Sequence, residues 1–497
     1  MAKHAESSML LEELSRMGSN GRAEGEDKDR FPKTFHPIAE HVRAFDPNVV
    51  LVIGPRGAGK SELFRAAVEL KLLPAIERCL PEIRPFLART QQVQWFAGYP
   101  IGSEFPDARG FAAFLRECEN DREAAFKLWF AYLVRVLQGE LRCRDSETLR
   151  SLLNPDGGEP NKVYEAFCSF SGNEPLLALD RLDKDLQQND RYLFVGYDEL
   201  DTLGANDWQT MSAAIRGLIA FWSAYTRRWQ RIRAKVFLRT DLFHRYATEG
   251  GGDLAKLAAN RVELVWSDRN LYAMLLKRIV NSSDELYRHI KEAPRNKIEF
   301  FDDPALGHVP RITDSEDIRP IIDRLIGQYM GSNVKKGLTY RWLINHVRDG
   351  FGRALPRPLV RLVEVAADIQ IGSSRAAGWP RLILPTSMGR ALDKVSVEQV
   401  QHSLDEWPWL DGLKKRIKSA IVPCHRKRLE HLLTEDWDGR WGDTAAAIRP
   451  PVENARDLID YLVEVGILRA RSDGRLDAAD LFLAGLGLKR KGGVRKK

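Results

Sequence analysis

Between Val49 and Phe64 the chain reads VVLVIGPRGAGKSELF. Gly54, Pro55, Arg56, Gly57, Ala58, Gly59, Lys60 and Ser61 fit the spacing GxxxxGK[ST], with Glu62 following. The chemistry these types can do at this spacing is phosphate binding. Glycines let a backbone turn tightly with its N–H groups aimed inward at phosphate oxygens. A helix starting near Lys60 adds the positive end of its dipole. Lys60 brings a full charge to the β and γ phosphates, and the Ser61 hydroxyl can ligate Mg2+. Context argues against a chance match, because an apolar strand precedes the motif and SELFRAAVEL, helical in period, follows it.

Hydrolysis needs a carboxylate on a second strand. The stretch YLFVGYDELD (192–201) offers one. Asp198 closes an apolar run, where it can hold Mg2+ through water, and Glu199 can polarise an attacking water as general base. The blander reading makes Asp198, Glu199 and Asp201 caps of the next helix. The strand position favours the catalytic reading for the Asp198–Glu199 pair, with Asp201 as the cap. Gly196 and Tyr197 depart from a purely aliphatic run.

The elements that must position these residues read as strands alternating with long helices, an α/β layered pattern. Expected strands are Val49–Ile53, Gln92–Tyr99, Arg191–Asp198, Lys235–Asp241 and Arg261–Trp266. Their near-continuous apolar runs suit a parallel sheet buried on both faces. Expected helices are a lead-in after Pro37, then Pro106–Leu137, Asn161–Phe170, Pro175–Gln188 and Asp207–Gln230. After Ser267 the β pattern stops, and 269–295, 320–372 and 393–420 read as helices around a glycine-rich break at 371–380.

A phosphate loop, an Asp-Glu strand end and a following helical region resemble the AAA+ and STAND branch of P-loop NTPases. The resemblance covers roughly residues 31–372, and the C-terminus more loosely. It implies ATP and Mg2+ as cofactors and a fourth strand, ending FLRTD, lying between the phosphate-loop strand and the Asp-Glu strand. Arg239 then takes a sensor position, with Thr240 the milder candidate; the competing reading pairs Arg239 with Asp198 or Asp241. The resemblance also implies an arginine finger acting in trans, with Arg261 first and Arg245 second, and hence a homo-oligomer or protein partner. In GRALPRPLVRLVEV it implies a second sensor, Arg357 or, one turn on, Arg361. Pro358 as a first helical residue is also ordinary helix chemistry.

The implied organisation is a disordered segment 1–30, a P-loop ATPase core 31–268, a helical lid 269–372, a helical connector 373–421, a winged-helix-like domain 422–488 and a basic tail 489–497. The last two rest on residues as well. PPVENARDLIDYLVEVGILRARSDGRLDAADLF places Val452, Ala455, Ile459 and Leu462 on one helix face, ends that helix at Gly466, and turns a hairpin at Asp473-Gly474. The helix's outer side would carry Glu453, Arg456, Asp457, Asp460 and Glu464, a poor surface for a phosphate backbone. Arg469, Arg471 and Arg475 make the hairpin basic, so DNA contact through it, or through the basic tail, stays open. AYTRRWQRIRAK, with Arg227, Arg228, Trp229, Arg231 and Arg233, reads first as a helix C-terminus complementing its dipole and second as a nucleic-acid surface.

Composition excludes other classes. The chain has 497 residues, 44% hydrophobic, with a formal charge of +7. No run of eighteen apolar residues appears, so no membrane-spanning helix is expected. No signal peptide is read in the charged N-terminus. The five cysteines are scattered without a CxxC pair, which suits a reducing cytoplasm. No NKxD stretch is present, which favours ATP over GTP. The function expected is an ATP-hydrolysing molecular switch, placed by the resemblance near bacterial anti-phage defence. The alternative is an ATP-gated DNA-binding initiator or transcription regulator; a small-molecule kinase sits poorly with the Asp-Glu strand end and the large lid.

Overall fold

The computed structural model describes residues 2–18, 27–80, 93–99, 105–142, 146–154, 158–170, 173–204, 207–248, 257–404, 407–435, 437, 441, 449–450 and 452–490. The chain divides into two compact units, Pro37–Val265 on one hand and Met1–His36 with Trp266–Lys497 on the other.

In the first unit five parallel strands form one sheet: β1 (Leu51–Gly54), β2 (Val93–Ala97), β3 (Tyr192–Tyr197), β4 (Ile232–Arg239) and β5 (Val262–Glu263). Their order is β2-β3-β4-β1-β5. This is a parallel sheet flanked by helices, as expected, and β4 lies between β1 and β3, with Leu51 opposite Val236 and Tyr197 also opposite Val236. Alternation along β3 separates its two faces. Leu193, Val195 and Tyr197 join the core built with the helices Arg122–Val136 and Trp208–Tyr225. Gly196 turns to the other face, where a Cβ would lie 3.0 Å from the Phe64 ring and 3.1 Å from Val68. The glycine in an otherwise apolar strand therefore makes room for the helix that follows the phosphate loop.

Several expected elements differ. The single helix 106–137 is two, Ala108–Glu117 and Arg122–Val136. Glu119 and Asn120 take positive φ, and the Asp121 carboxylate accepts the Ala124 N–H to start the second helix. The Trp208–Tyr225 helix is capped by Asp207, which accepts the N–H groups of Gln209 and Thr210. Asp201 is thus not its cap.

The second unit is helical with small sheets. The expectation that residues 1–30 are disordered fails for Ala2–Ser15, which form a helix with Leu10, Leu14 and Met17 fully buried. That helix packs against Pro356–Ile371, a surface no local composition reveals. Residues 19–26 lie outside the described residues. Phe31–Thr34 also belongs to this unit, because the buried Lys277 ammonium donates to the carbonyls of Pro32 and Lys33. The β pattern does not stop at Ser267: Glu299–Asp303 and Gly307–Arg311 pair as an antiparallel hairpin. Helices within 269–372 are Asp268–Val280, Asp284–Lys291, Arg319–Leu325, Thr339–His346 and Pro356–Ile371, followed by Pro385–Leu404 and Leu410–Ile417.

Beyond them, Arg426–Thr434 and Ala455–Glu464 precede the hairpin Leu468–Ala470 with Leu476–Ala478. Cys424 bridges antiparallel to Leu476, so the segment before the first helix joins the hairpin as a third strand. This helix–helix–wing order is that of a winged helix. Ala455, Leu458, Ile459 and Leu462 are its buried face; Val452 precedes the Asn454 cap and is only half-buried. Of the basic tail, Lys489 and Arg490 pair as a strand with Ile421–Val422, and 491–497 lie outside the described residues. No described helix is long and apolar enough to cross a membrane.

Candidate functional site

β1 is buried along its whole length and delivers the chain at Gly54 into the loop. Gly57 and Gly59 hold φ of 84° and 92°, a left-handed backbone that a side chain strains. Ala58 is buried and its N–H donates to the Pro55 carbonyl at 3.1 Å, while Arg56 is exposed. The helix begins at Lys60, runs to Phe64 and widens into a π-helical turn over Arg65–Glu69. Glu62 sits half-buried in its first turn.

The Lys60 ammonium donates to the carbonyls of Gly54 at 2.9 Å and Pro55 at 3.1 Å. Burial lowers its pKa to about 8, and the nearby Asp198 carboxylate works in the opposite direction. Asp198 follows β3 and is half-buried. Burial raises its pKa, against hydrogen bonds from the Ser61 hydroxyl and the Glu199 backbone N–H. The loop and the strand two places away thus come together where Ser61 and Lys60 lie beside Asp198. Glu199 is exposed and holds φ 54°, a left-handed conformation that costs a non-glycine residue about 1–3 kcal/mol and is concentrated at functional sites.

Arg239 ends β4 opposite Gly54. Its guanidinium grips Asp241 at 3.1 and 2.7 Å and reaches Asp201 at 3.2 Å. Its acidic partners include Asp241, as the competing reading had it, and Asp201, and its charge also depresses the Lys60 pKa. Sequence reasoning assigned Asp201 to capping; only the meeting of β3 and β4 makes it a partner of Arg239. Thr240 opens the next helix, and its buried hydroxyl has no hydrogen-bond partner among the described residues.

This donor set fits a nucleotide with Mg2+. It offers one hydroxyl and one carboxylate for the metal, one buried ammonium, and an orphaned hydroxyl at the end of the neighbouring strand. No group of three His, Cys, Asp or Glu side chains suited to a metal occurs among the described residues, so no independent metal cage is built.

The remaining arginines lie elsewhere. Arg261 is exposed just before β5, donating to the Ala258 carbonyl at 3.1 Å with its guanidinium 5.3 Å from the Phe243 ring centroid. Arg245 lies on the helix Thr240–Thr248. Arg357 belongs to the second unit, half-buried in the first turn of Pro356–Ile371. Arg361 is bound bidentately by Glu398 at 2.8 and 2.9 Å, which ties it to the next helix of its own unit. Of the 227–233 arginines, Arg228, Arg231 and Arg233 are held by partners in the fold, while Arg227 is exposed. Arg228 forks onto Asp180, which also accepts from the buried Trp229 indole, and Arg231 pairs with Asp190. Arg233 donates to the Thr226 and Gln230 carbonyls.

In the winged helix, Glu453, Arg456, Asp457, Asp460 and Glu464 are exposed, and Arg426 grips Asp460 at 2.7 Å. The buried Asp477 carboxylate gathers Arg469, Arg471 and Arg490, and Asp473 holds Arg475. Each of these arginines thereby has an acidic partner, though Asp477 and Asp473 serve four guanidiniums between them.

No family model and no curated protein matches the chain. Among solved structures it is similar to the Aeropyrum pernix ORC2 protein in its ADPNP–ADP complexes, at 12% identity and a TM-score of 0.36 over 88% of this chain and 87% of that one. It is also similar to the Aeropyrum pernix ORC1 protein in complex with DNA, at 13% identity and a TM-score of 0.31 over 96% and 89%. The ADP form of ORC2 gives 12% identity and a TM-score of 0.28 over 88% and 84%.

Proposed function

We propose that this chain binds ATP with Mg2+ at the 54–61 loop and hydrolyses it, as a switch of AAA+/STAND type whose nucleotide state controls assembly or partner binding. What supports this reading is the placement of Ser61 and Lys60, on the loop after β1, beside the Asp198 carboxylate after β3, whose charged form both favour. Bound ATP and Mg2+ would supply the phosphoanhydride and the charge that neutralises its oxygens. The loop's N–H groups bind phosphate oxygens. Lys60 exchanges its carbonyl acceptors for them, and Ser61 and Asp198 are the residues that would hold the metal, Asp198 through water. Glu199 orients an attacking water and accepts its proton on the carboxylate. Arg239, braced by Asp241 and Asp201, places a cation at the end of β4, where it responds to charge at the terminal phosphate.

Steady-state ATP hydrolysis, with and without double-stranded DNA, tests the reading. Lys60→Ala abolishes binding and turnover; Glu199→Gln abolishes turnover and keeps binding. Turnover that survives Glu199→Gln refutes the assignment of the base. A second reading, an ATP-gated DNA-binding initiator or transcription regulator, draws on the winged-helix strand order, and stimulation of hydrolysis by DNA would promote it. The acidic exposed face of Ala455–Glu464 favours a protein partner instead. A place in anti-phage defence is read on the resemblance alone and is tested by plaque counts with the wild type against Lys60→Ala.

A further inference from the structure

Among the described glycines of the second unit, Gly350, Gly485 and Gly18 hold ordinary φ yet leave no room for a side chain. A Cβ on Gly350 would come closer than 3.0 Å to the backbone oxygens of Leu468 and Gly466. On Gly485 it would meet the Ser396 carbonyl, and on Gly18 the Glu364 carboxylate, at similarly forbidden range. Such glycines serve close approach rather than backbone freedom.

At each place a hydrogen bond seals the approach. The Gly350 N–H donates to the Gly466 carbonyl at 2.6 Å, joining the lid turn 349–353 to the end of the Ala455–Glu464 helix. That turn is itself fastened, since Asp349 accepts from the N–H groups of Phe351 and Arg353 at 2.9 Å each. The Gly485 N–H donates to the Ser396 hydroxyl at 2.9 Å, joining the winged helix to Pro385–Leu404. The Gly18 N–H donates to Glu364 at 2.5 Å, joining the N-terminal helix to Pro356–Ile371. Between those two long helices run the bidentate Arg361–Glu398 pair and the buried Gln370, whose side-chain oxygen accepts from Leu384 N and Ser387 Oγ.

We propose that the lid and the winged helix form one rigid arm, locked at Gly350–Gly466 and Gly485–Ser396, with no hinge between the residue-357 end and the wing. Its use in switching rests on the ATP-switch reading: a turn of the lid at Arg357 is delivered undamped to the wing. Packed interfaces of this kind move as bodies and do not bend continuously. The domain borders near 372 and 421 are then borders of topology and not of motion.

The test is a pulsed dipolar distance measurement on the full chain with its five cysteines replaced. Nitroxides go at Val334→Cys in the lid and Ser472→Cys in the wing, both exposed positions. One narrow distance distribution, unchanged by ATP, is expected, with broadening in Gly350→Ala and more in Gly350→Val. A broad or two-peaked distribution in the chain with Gly350 intact, or a peak that moves on adding ATP, overturns the proposal. The nucleotide-free arm of the measurement needs no ATP binding, so it fails or succeeds independently of the hydrolysis assay. Should Gly350→Val fail to fold, the distribution with Gly350 intact still decides.

Discussion

Lys60 allows the ATP-binding reading to be tested by pH alone. Its ammonium is held by two backbone carbonyls, and burial brings its pKa to about 8. Phosphate oxygens beside it would raise that value again. Below about pH 8 the lysine is charged both free and bound, so binding takes up no proton and affinity is flat. Above it, the free protein has lost the proton that the complex needs. Kd then rises about tenfold per pH unit, or about 1.4 kcal/mol per unit, until the bound lysine itself titrates. From about pH 7 to about pH 9.5 the loss comes to roughly 30-fold, with the terminal phosphate fully ionised throughout. The assay is equilibrium titration with a non-hydrolysable ATP analogue and Mg2+ at constant ionic strength. Lys60→Arg, which stays charged over the whole range, removes the slope. A flat Kd for the wild type, or an equal slope in Lys60→Arg, refutes the reasoning.

Three stability predictions follow from burial and are read by denaturant or thermal unfolding. Gly196→Val drives a side chain into Phe64 and Val68; it costs about 1–3 kcal/mol and weakens ATP affinity, because the shifted helix carries Lys60 and Ser61. Asp183→Ala orphans the backbone N–H groups of Gln230, Arg231 and Ile232, which its carboxylate accepts at 3.0, 2.7 and 3.0 Å, and costs about 3 kcal/mol or more. An unchanged midpoint would deny that this carboxylate anchors the start of β4. Leu14→Ala costs about 2–5 kcal/mol in the second unit, since Leu14 is fully buried; a disordered N-terminus would give no change.

Local chemistry made much of this protein legible. The phosphate loop was readable because its left-handed glycines, its lysine and its hydroxyl must be adjacent in the chain. The five strands were readable because each carries a run of apolar residues; β1, β3 and β4 are buried on both faces as expected, whereas the outer strands β2 and β5 are only partly buried. The wing was readable from Asp473-Gly474 and the apolar period before it. Other features carry no local signal. The 299–303 and 307–311 strands are too polar to stand out from the helices around them, being partly exposed on both sides. In the helix 2–15 only the short amphipathic stretch Met9–Leu14 was legible; its few apolar residues suffice because Pro356–Ile371 covers them.

By itself, then, the sequence determined the parallel-sheet core, the loop that can hold phosphate and the carboxylate pair at 198–199, since each is specified by residues within one turn or strand. The tertiary structure alone decided which charges meet. Bringing β3 beside β4 converts Asp201 from a cap into the partner of Arg239, and packing the 174–188 helix beneath 228–232 spends a basic cluster on Asp180 and Asp190. It alone decided that Arg361 is locked and that Gly350 and Gly485 are contact points. Pairings of that kind depend on residues tens of positions apart, and a guanidinium's role is set by whichever carboxylate the fold places within about 3 Å of it.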